Sequence, residues 1–288
     1  MDGLSAETTN KGRLQRACLA LLREHEEDGA LPTSIRFLFY ELLDRGVVPK
    51  AYRHADGTPR PRKPDQYISE AVNLLREAGL IPWSWIVDET RTLDNWRYAK
   101  TVYKYVAETL PLARIDVWGG ERPPLILCES RSLAGVLRTV AQDYLCPIAA
   151  TNGQVGGFLH TEVAPLVKGR RRTFYLGDLD LSGRHIEQNT YKVLSAYGEL
   201  DWQRVAITPA QVEGRGFPIK NKKDHRFKPP REFPAVETEA LGQTRIMALL
   251  TEKLEAAVPE PLAVVLEREQ RQRVLVRERL SANEADDE

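Results

Sequence analysis

Residues Thr173 to Gly183 read Thr-Phe-Tyr-Leu-Gly-Asp-Leu-Asp-Leu-Ser-Gly, an apolar run that halts at two aspartates one residue apart and then meets a glycine. The run has the length of a strand, and Arg184 to Tyr197 behind it has the spacing of a helix. In an extended chain residues i and i+2 project to the same side, so Asp178 and Asp180 can point at one cation. Upstream, Leu125-Ile126-Leu127-Cys128 is a second apolar run, and it too ends in an acid, Glu129. If both runs are parallel strands of one sheet, three carboxylates meet at its carboxyl edge, where open α/β sheets place their sites.

Outward from this stretch the same rhythm continues. Ser132 to Tyr144 reads as a helix and Ile148 to Ala150 as a short strand. Gly153 to Val167 holds a glycine-rich turn and a helix, and Arg204 to Ile207 is a fourth strand. Strands alternating with helices predict right-handed βαβ units around a parallel four-stranded sheet. Met247 to Ala256 and Leu262 to Leu280 read as further helices. The Pro/Gly stretch Trp118-Gly119-Gly120-Glu121-Arg122-Pro123-Pro124 marks a boundary. The expected organisation is a helical domain over residues 1–117 and an α/β domain with carboxyl-terminal helices over 121–288. In the first, Lys11 to Arg23, Thr33 to Arg45 and Asp65 to Ala78 read as helices. Thr33 or Ser34 can cap the second, and Gly46 and Gly79 stop the second and third. Leu80 to Val87 is strand-like, followed by the polar turn Asp88-Glu89-Thr90-Arg91. Three helices, a strand and a turn are the outline of a winged helix.

Lysine plus arginine total 41 and aspartate plus glutamate total 41, so net charge does not announce a nucleic-acid binder. The distribution is less even. Arg45, Lys50, Arg53, Arg60, Arg62 and Lys63 stand against the single Asp56, and a second basic stretch, Lys220 to Arg231, includes Lys222 and Lys223. Either stretch is a solvated loop or a contact to phosphate. No apolar stretch is long enough to cross a bilayer, and the amino terminus is polar where a signal peptide needs an apolar region, so a cytoplasmic protein without a membrane partner is expected. Cys18, Cys128 and Cys146 lack zinc-site pairing and are expected as reduced core residues.

A hard cation such as Mg²⁺ takes oxygen ligands and is commonly held by a few carboxylates plus substrate phosphate. Glu129, Asp178 and Asp180 supply such ligands; the plainer alternative is that the Asp-x-Asp caps the following helix. On the helix Thr33 to Arg45, Ile35, Leu38, Phe39, Leu42 and Leu43 form the buried stripe. Arg36 and Tyr40 lie off it, four apart and therefore neighbours, where a guanidinium can bind phosphate and favour a nearby phenolate. Tyr40 is then either a nucleophile or a packing residue. Glu237 and Glu239 either complete the acidic cluster or sit on a solvated edge. Thr151 to Gly157 is glycine-rich without matching a P-loop. His185 can touch substrate or be a partly buried structural residue, and Trp83, Trp85 and Trp96 can stack bases or fill a core.

Two matches resemble the A subunit of topoisomerase VI and its relatives, the meiotic double-strand-break proteins and short free-standing homologues. Arg36-Phe-Leu-Phe-Tyr40 is similar to the family's Arg-x-x-Tyr-Tyr motif, whose last tyrosine is the nucleophile within a winged-helix domain. Glu129 with Asp178-Leu-Asp180-Leu-Ser-Gly183 resembles the glutamate and Asp-x-Asp of a Toprim domain. Phe39 replaces the first tyrosine of the pair, Leu181 stands where proline is frequent, and Ser130 stands where lysine is common. The resemblance implies Mg²⁺-dependent DNA cleavage through a tyrosyl intermediate, with Arg36 and Glu129 assisting. It also implies a homodimer in which one protomer's tyrosine works with its partner's acids. No ATP-binding motif is present, so an ATPase, if needed, is a separate subunit. Two alternatives remain: a Toprim nuclease that uses water, and a non-catalytic DNA-binding component.

Overall fold

A computed structural model describes residues 4–6, 8–87, 95–151, 157–213, 220–224 and 228–284. Helix α1 (Asn10–Glu27) starts at Thr9, whose hydroxyl accepts from the Gly12 amide, and α2 (Ile35–Asp44) starts at Ser34, which accepts from Phe37. Helix α3 (Pro64–Glu77) opens on a proline, whose missing N–H costs nothing in a first turn. Cys18, Leu21 and Leu22 of α1, Leu38 and Leu42 of α2, and Ile68, Val72 and Leu75 of α3 share one core. Helix α4 (Val102–Thr109), which the sequence signals did not announce, follows.

Leu80 to Val87 is not a strand. Trp83–Trp85 is a 3₁₀ turn entered from Pro82, and Ile86 makes an isolated bridge to Thr33. Pro82 cannot donate to a ladder, and its fixed φ starts a turn instead. Trp83 is therefore turned outward, beneath the Arg76 guanidinium at 4.9 Å, and Trp96 is also exposed, so neither fills a core. The turn expected at Asp88 to Arg91 lies outside the described residues.

The remainder is mixed α/β around four parallel strands: β1 (Leu125–Cys128), β2 (Ile148–Ala150), β3 (Arg170–Leu176) and β4 (Glu199–Ala206), in the order β2-β1-β3-β4. Helix α5 (Arg131–Asp143) joins β1 to β2, and α6 (Leu181–Ser195) joins β3 to β4. Ile126, Cys128, Phe174 and Leu176 face one core, while Leu125, Leu127 and Tyr175 face another with Leu194 of α6. Both faces are covered, which is why the strands read as unbroken apolar runs. Strands β3 and β4 begin earlier than their apolar runs because charge pairs replace apolar contact there: Arg170 opposes Glu199, and Arg172 meets Asp201 at 3.1 Å. The helix expected before Val167 is instead a π turn, Leu159–Val163, followed by a 3₁₀ turn containing Pro165, which cannot continue an α ladder.

Helix α7 (Pro209–Val212) precedes an antiparallel hairpin, β5 (Lys220–Asp224) with β6 (Arg231–Ala235). Helices α8 (Gln243–Glu255) and α9 (Leu262–Glu284) complete the described chain. All three cysteines are free and buried. Among the described residues no helix is long and apolar enough to cross a membrane.

Candidate active site at the sheet edge

Adjacent parallel strands bring Glu129 and Asp178 together: Cys128 pairs with Leu176, and the Asp178 amide donates to Glu129 Oε2 at 2.9 Å. That approach needs glycine on both sides. A Cβ on Gly177 would stand 2.8 Å from Glu129 Oε2, and one on Gly183 would stand 2.4 Å from the Asp178 carbonyl oxygen and 3.1 Å from Glu129 Oε2. The glycines that frame Asp178-Leu179-Asp180 are thus where the backbone must close around the glutamate. Asp180 caps α6, accepting from the Gly183 amide at 2.6 Å, so the plainer alternative for this aspartate describes one of its oxygens. Asp178 Oδ1 accepts from the Thr238 amide at 2.8 Å and its hydroxyl at 3.1 Å. Leu179 bridges to Val236, which carries the segment Glu237 to Thr238 across the acidic turn. From below, Arg204 clamps the same turn, donating to the carbonyls of Gly177 and Asp178 at 2.6 and 2.7 Å.

Helix α2 supplies the other half. Arg36, Phe37, Tyr40 and Glu41 form the face opposite its core stripe, and that face docks on residues 237–243. Arg36 donates to Glu237 Oε2 at 3.0 Å, lies 3.1 Å from Glu239 Oε1, and stands 3.9 Å from Asp178 Oδ2. The Tyr40 hydroxyl donates to Glu237 Oε2. Phe37 is buried with Leu241, and Glu41 Oε1 accepts from the Gln243 amide at 3.0 Å. Glu239, 1 % exposed, also accepts from Ser130 and Ser132. Comparison with protein-family models, with curated proteins and with solved structures finds no match.

The electrostatics follow from crowding. Burial, then Asp178, push the Glu129 carboxyl up to about 7, with Asp180 and Glu239 adding to the rise. Burial likewise raises Glu239, against the pull of Arg36. Burial works against the charged form of Arg36, but Glu239, Glu237 and Asp178 outweigh it and the guanidinium is raised. The donor set fits a hard divalent cation in kind: oxygen ligands only, with negative charge in excess of one guanidinium. It does not fit in present spacing, since among the described residues no group of three or more acids, histidines or cysteines is arranged to hold a metal ion.

Three clefts open onto the seam, and two of them share residues. One, of about 400 Å³, is lined by Glu129, Asp178 and Thr238. The other, of about 810 Å³, is lined by Tyr40, Lys50, Arg60, Arg62 and Lys63, and the two share Arg36, Arg131 and Ser132. Four residues of the first basic stretch therefore line the cleft that Arg36, Tyr40 and Glu237 share. Arg45 does not line that cleft: it holds Glu24 and lines another recess, which Tyr40 and Glu239 also border, among the acids Asp28, Glu41 and Asp44. Arg53 donates to the Gly57 carbonyl in a surface turn. Lys222 and Lys223 stand on β5, but their side chains lie outside the described ones. So does the backbone from Asn152 to Gly156. His185 is exposed on α6 rather than partly buried. Arg204, Thr238 and Arg131 had no motif to mark them: Arg204 lies within β4, Arg131 opens α5 just after β1, and Thr238 follows β6.

Proposed function

We propose that the protein cleaves DNA through a covalent tyrosyl intermediate, as its resemblance to the topoisomerase VI A subunit implies. One observation carries this reading: Arg36 and Tyr40 from a helical core and the acids of a parallel sheet edge meet at a cleft walled by Lys50, Arg60, Arg62 and Lys63. Exposed cations along one wall suit a phosphate backbone. The helical core then serves as a winged-helix-like DNA-binding part and the sheet as a Toprim-like part.

Tyr40 attacks a phosphodiester phosphorus, leaving a phosphotyrosyl bond and a free hydroxyl on the other DNA end. Arg36 orients the phosphate and offsets charge on the phenolate. Glu129, held near neutrality, is matched to proton exchange with the leaving oxygen. Glu129, Asp178 and Asp180 are the residues that would hold Mg²⁺, which would supply charge stabilisation at the scissile phosphate. The resemblance pairs one protomer's tyrosine with its partner's acids; here the two meet within one chain, so a homodimer cutting both strands would carry two complete sites, with a separate ATPase where strand passage is needed.

Supercoiled DNA incubated with the protein and Mg²⁺, then run with and without protease, tests it. Nicked or linear product that enters the gel only after proteolysis is expected; its absence overturns the covalent reading. One observation favours a second reading: Tyr40 is 5 % exposed and hydrogen-bonded, as a packing residue would be. In that case water attacks, and Tyr40→Phe still cuts DNA without attached protein. A DNA-binding component without chemistry would lose no biological activity in the Asp178→Ala, Asp180→Ala double variant.

A further inference from the structure

We infer that Glu237 is the general base that takes the phenolic proton of Tyr40 within the same chain, an assignment that rests on the covalent reading above. A tyrosine is a weak nucleophile until its proton is removed, so a tyrosyl enzyme needs an acceptor within hydrogen-bond reach of the hydroxyl. The neighbouring acids are committed elsewhere. Glu239 holds Arg36 and two serines, Glu129 accepts from the Asp178 amide, Asp178 from Thr238, and Asp180 from Gly183. Glu237 Oε2 takes the Tyr40 hydroxyl and the Arg36 guanidinium on one oxygen. Its side chain is 13 % exposed and lines the basic cleft, so it is sheltered yet open to the space where a phosphate would enter.

The three groups act in turn. The proton passes from Tyr40 Oη to Glu237 Oε2, and the oxygen pair it leaves behind forms the bond to phosphorus. The P–O3′ bond breaks, and the 3′ oxygen departs with that electron pair and takes a proton by way of Glu129, which recovers one from water. Glu237 returns its own proton to the solvent of the cleft, so protons balance over the step. Arg36 neutralises charge throughout, first on Glu237 and then on the phosphate. In religation Glu237 runs in reverse as the acid that protonates the departing phenolate. Because Tyr40 and Glu237 pair within one chain, the nucleophile and its base are not shared between protomers.

The test follows covalent adduct formation by the full chain, in Mg²⁺, on a nicked duplex from which the short fragment ending in the new 3′ hydroxyl is lost. Glu237→Gln is expected to slow adduct formation about 10²- to 10⁴-fold at neutral pH. DNA affinity and melting temperature should stay close to wild type. Exchanging Tyr40 for a difluorotyrosine, a more acidic phenol that needs less help from a base, should recover much of that loss in the Glu237→Gln background and change the wild-type rate little. A loss that the acidic phenol does not recover assigns Glu237 a structural role and overturns the proposal, as does a Glu237→Gln rate within tenfold of wild type. If Glu237→Gln does not fold, Glu237→Asp, which withdraws the carboxylate by one methylene, carries the same pair of comparisons. Mixing Tyr40→Phe chains with Glu237→Gln chains should not restore activity; restoration overturns the same-chain assignment. Wild-type protein that makes no adduct removes the covalent reading and the base together, whereas an active wild type beside an equally active Glu237→Gln removes the base alone.

Discussion

The two faces of helix α2 are buried in different ways. One places Leu38 and Leu42 in an apolar core, with Ile35, Phe39 and Leu43 partly buried around them. The other sets Arg36, Tyr40 and Glu41 against Glu237, Glu239 and Gln243, and only Phe37 on that side is apolar. Apolar burial contributes roughly in proportion to area and needs no partner geometry. A buried polar seam returns little net stability after desolvation, and it demands that each charge be met. A helix that buries one face by packing and the other by matched charges holds Arg36 and Tyr40 in fixed positions at some expense to stability.

Breaking the apolar face should have the largest effect on stability. Leu38→Ala is expected to cost about 2–5 kcal/mol in chemical denaturation, while adduct formation per folded molecule is kept. A loss of specific activity beyond the loss of folded protein would show that the two faces are not separable.

The acidic edge sharpens the contrast next, through pH. Glu129 is raised in the folded chain, so the folded state holds its proton more tightly than the unfolded state. That contribution is fully present below the unfolded value of about 4.5 and is lost as pH rises through about 7. Without divalent ions, the stability of the wild type relative to Glu129→Gln should therefore fall by about 2–3 kcal/mol between acid and mildly alkaline solution. Denaturation curves of both proteins across that range measure it, and a pH-independent difference would mean that Glu129 is not crowded.

Gly183→Ala should cost about 1–3 kcal/mol. On an open helix surface alanine would gain roughly 0.5–1 kcal/mol over glycine, but here its Cβ meets the Asp178 carbonyl oxygen at 2.4 Å, and a backbone contact cannot swing away. Thermal unfolding decides the sign, and stabilisation would mean the turn opens at little cost. The smallest effect separates the basic residues. Arg60→Ala should reduce the salt dependence of DNA binding by about one phosphate contact, whereas Arg45→Ala, whose partner is the exposed Glu24, should leave it unchanged and cost less than about 1 kcal/mol. Equal slopes for the two variants would argue against the cleft as the DNA path.

Much of the sheet was legible because its strands are short apolar runs between turn signals. The register between Cys128 and Leu176 then places Glu129 beside Asp178 as expected of parallel strands. The stripe on α2 was equally legible from its spacing. What stayed hidden depended on residues far apart in the chain. Strand β4 reached back to Glu199 because Arg170 and Arg172 lay opposite it. Trp83 is a local exception: its neighbour Pro82 opened a turn in an otherwise strand-like run. Glu237 and Glu239 carried no motif. They belong to the seam because Leu179 bridges Val236 and so carries the following residues over the acidic turn.

Local chemistry alone determined most of the segments that are helix or strand, the apolar stripe of α2, and which residue types can bind phosphate, hold a cation or attack. Those properties depend on side-chain type and on spacings of two or four residues. Tertiary structure alone decided that Arg36 and Tyr40 face Glu237 and Glu239, some two hundred positions away, and that Lys50, Arg60, Arg62 and Lys63 line the cleft of Arg36, Tyr40 and Glu237 while Arg45 lines another recess beside Tyr40. A hydrogen bond needs atoms within about 3 Å, and for residues that distant in the chain only the docking of α2 on the segment 237–243 brings them so close.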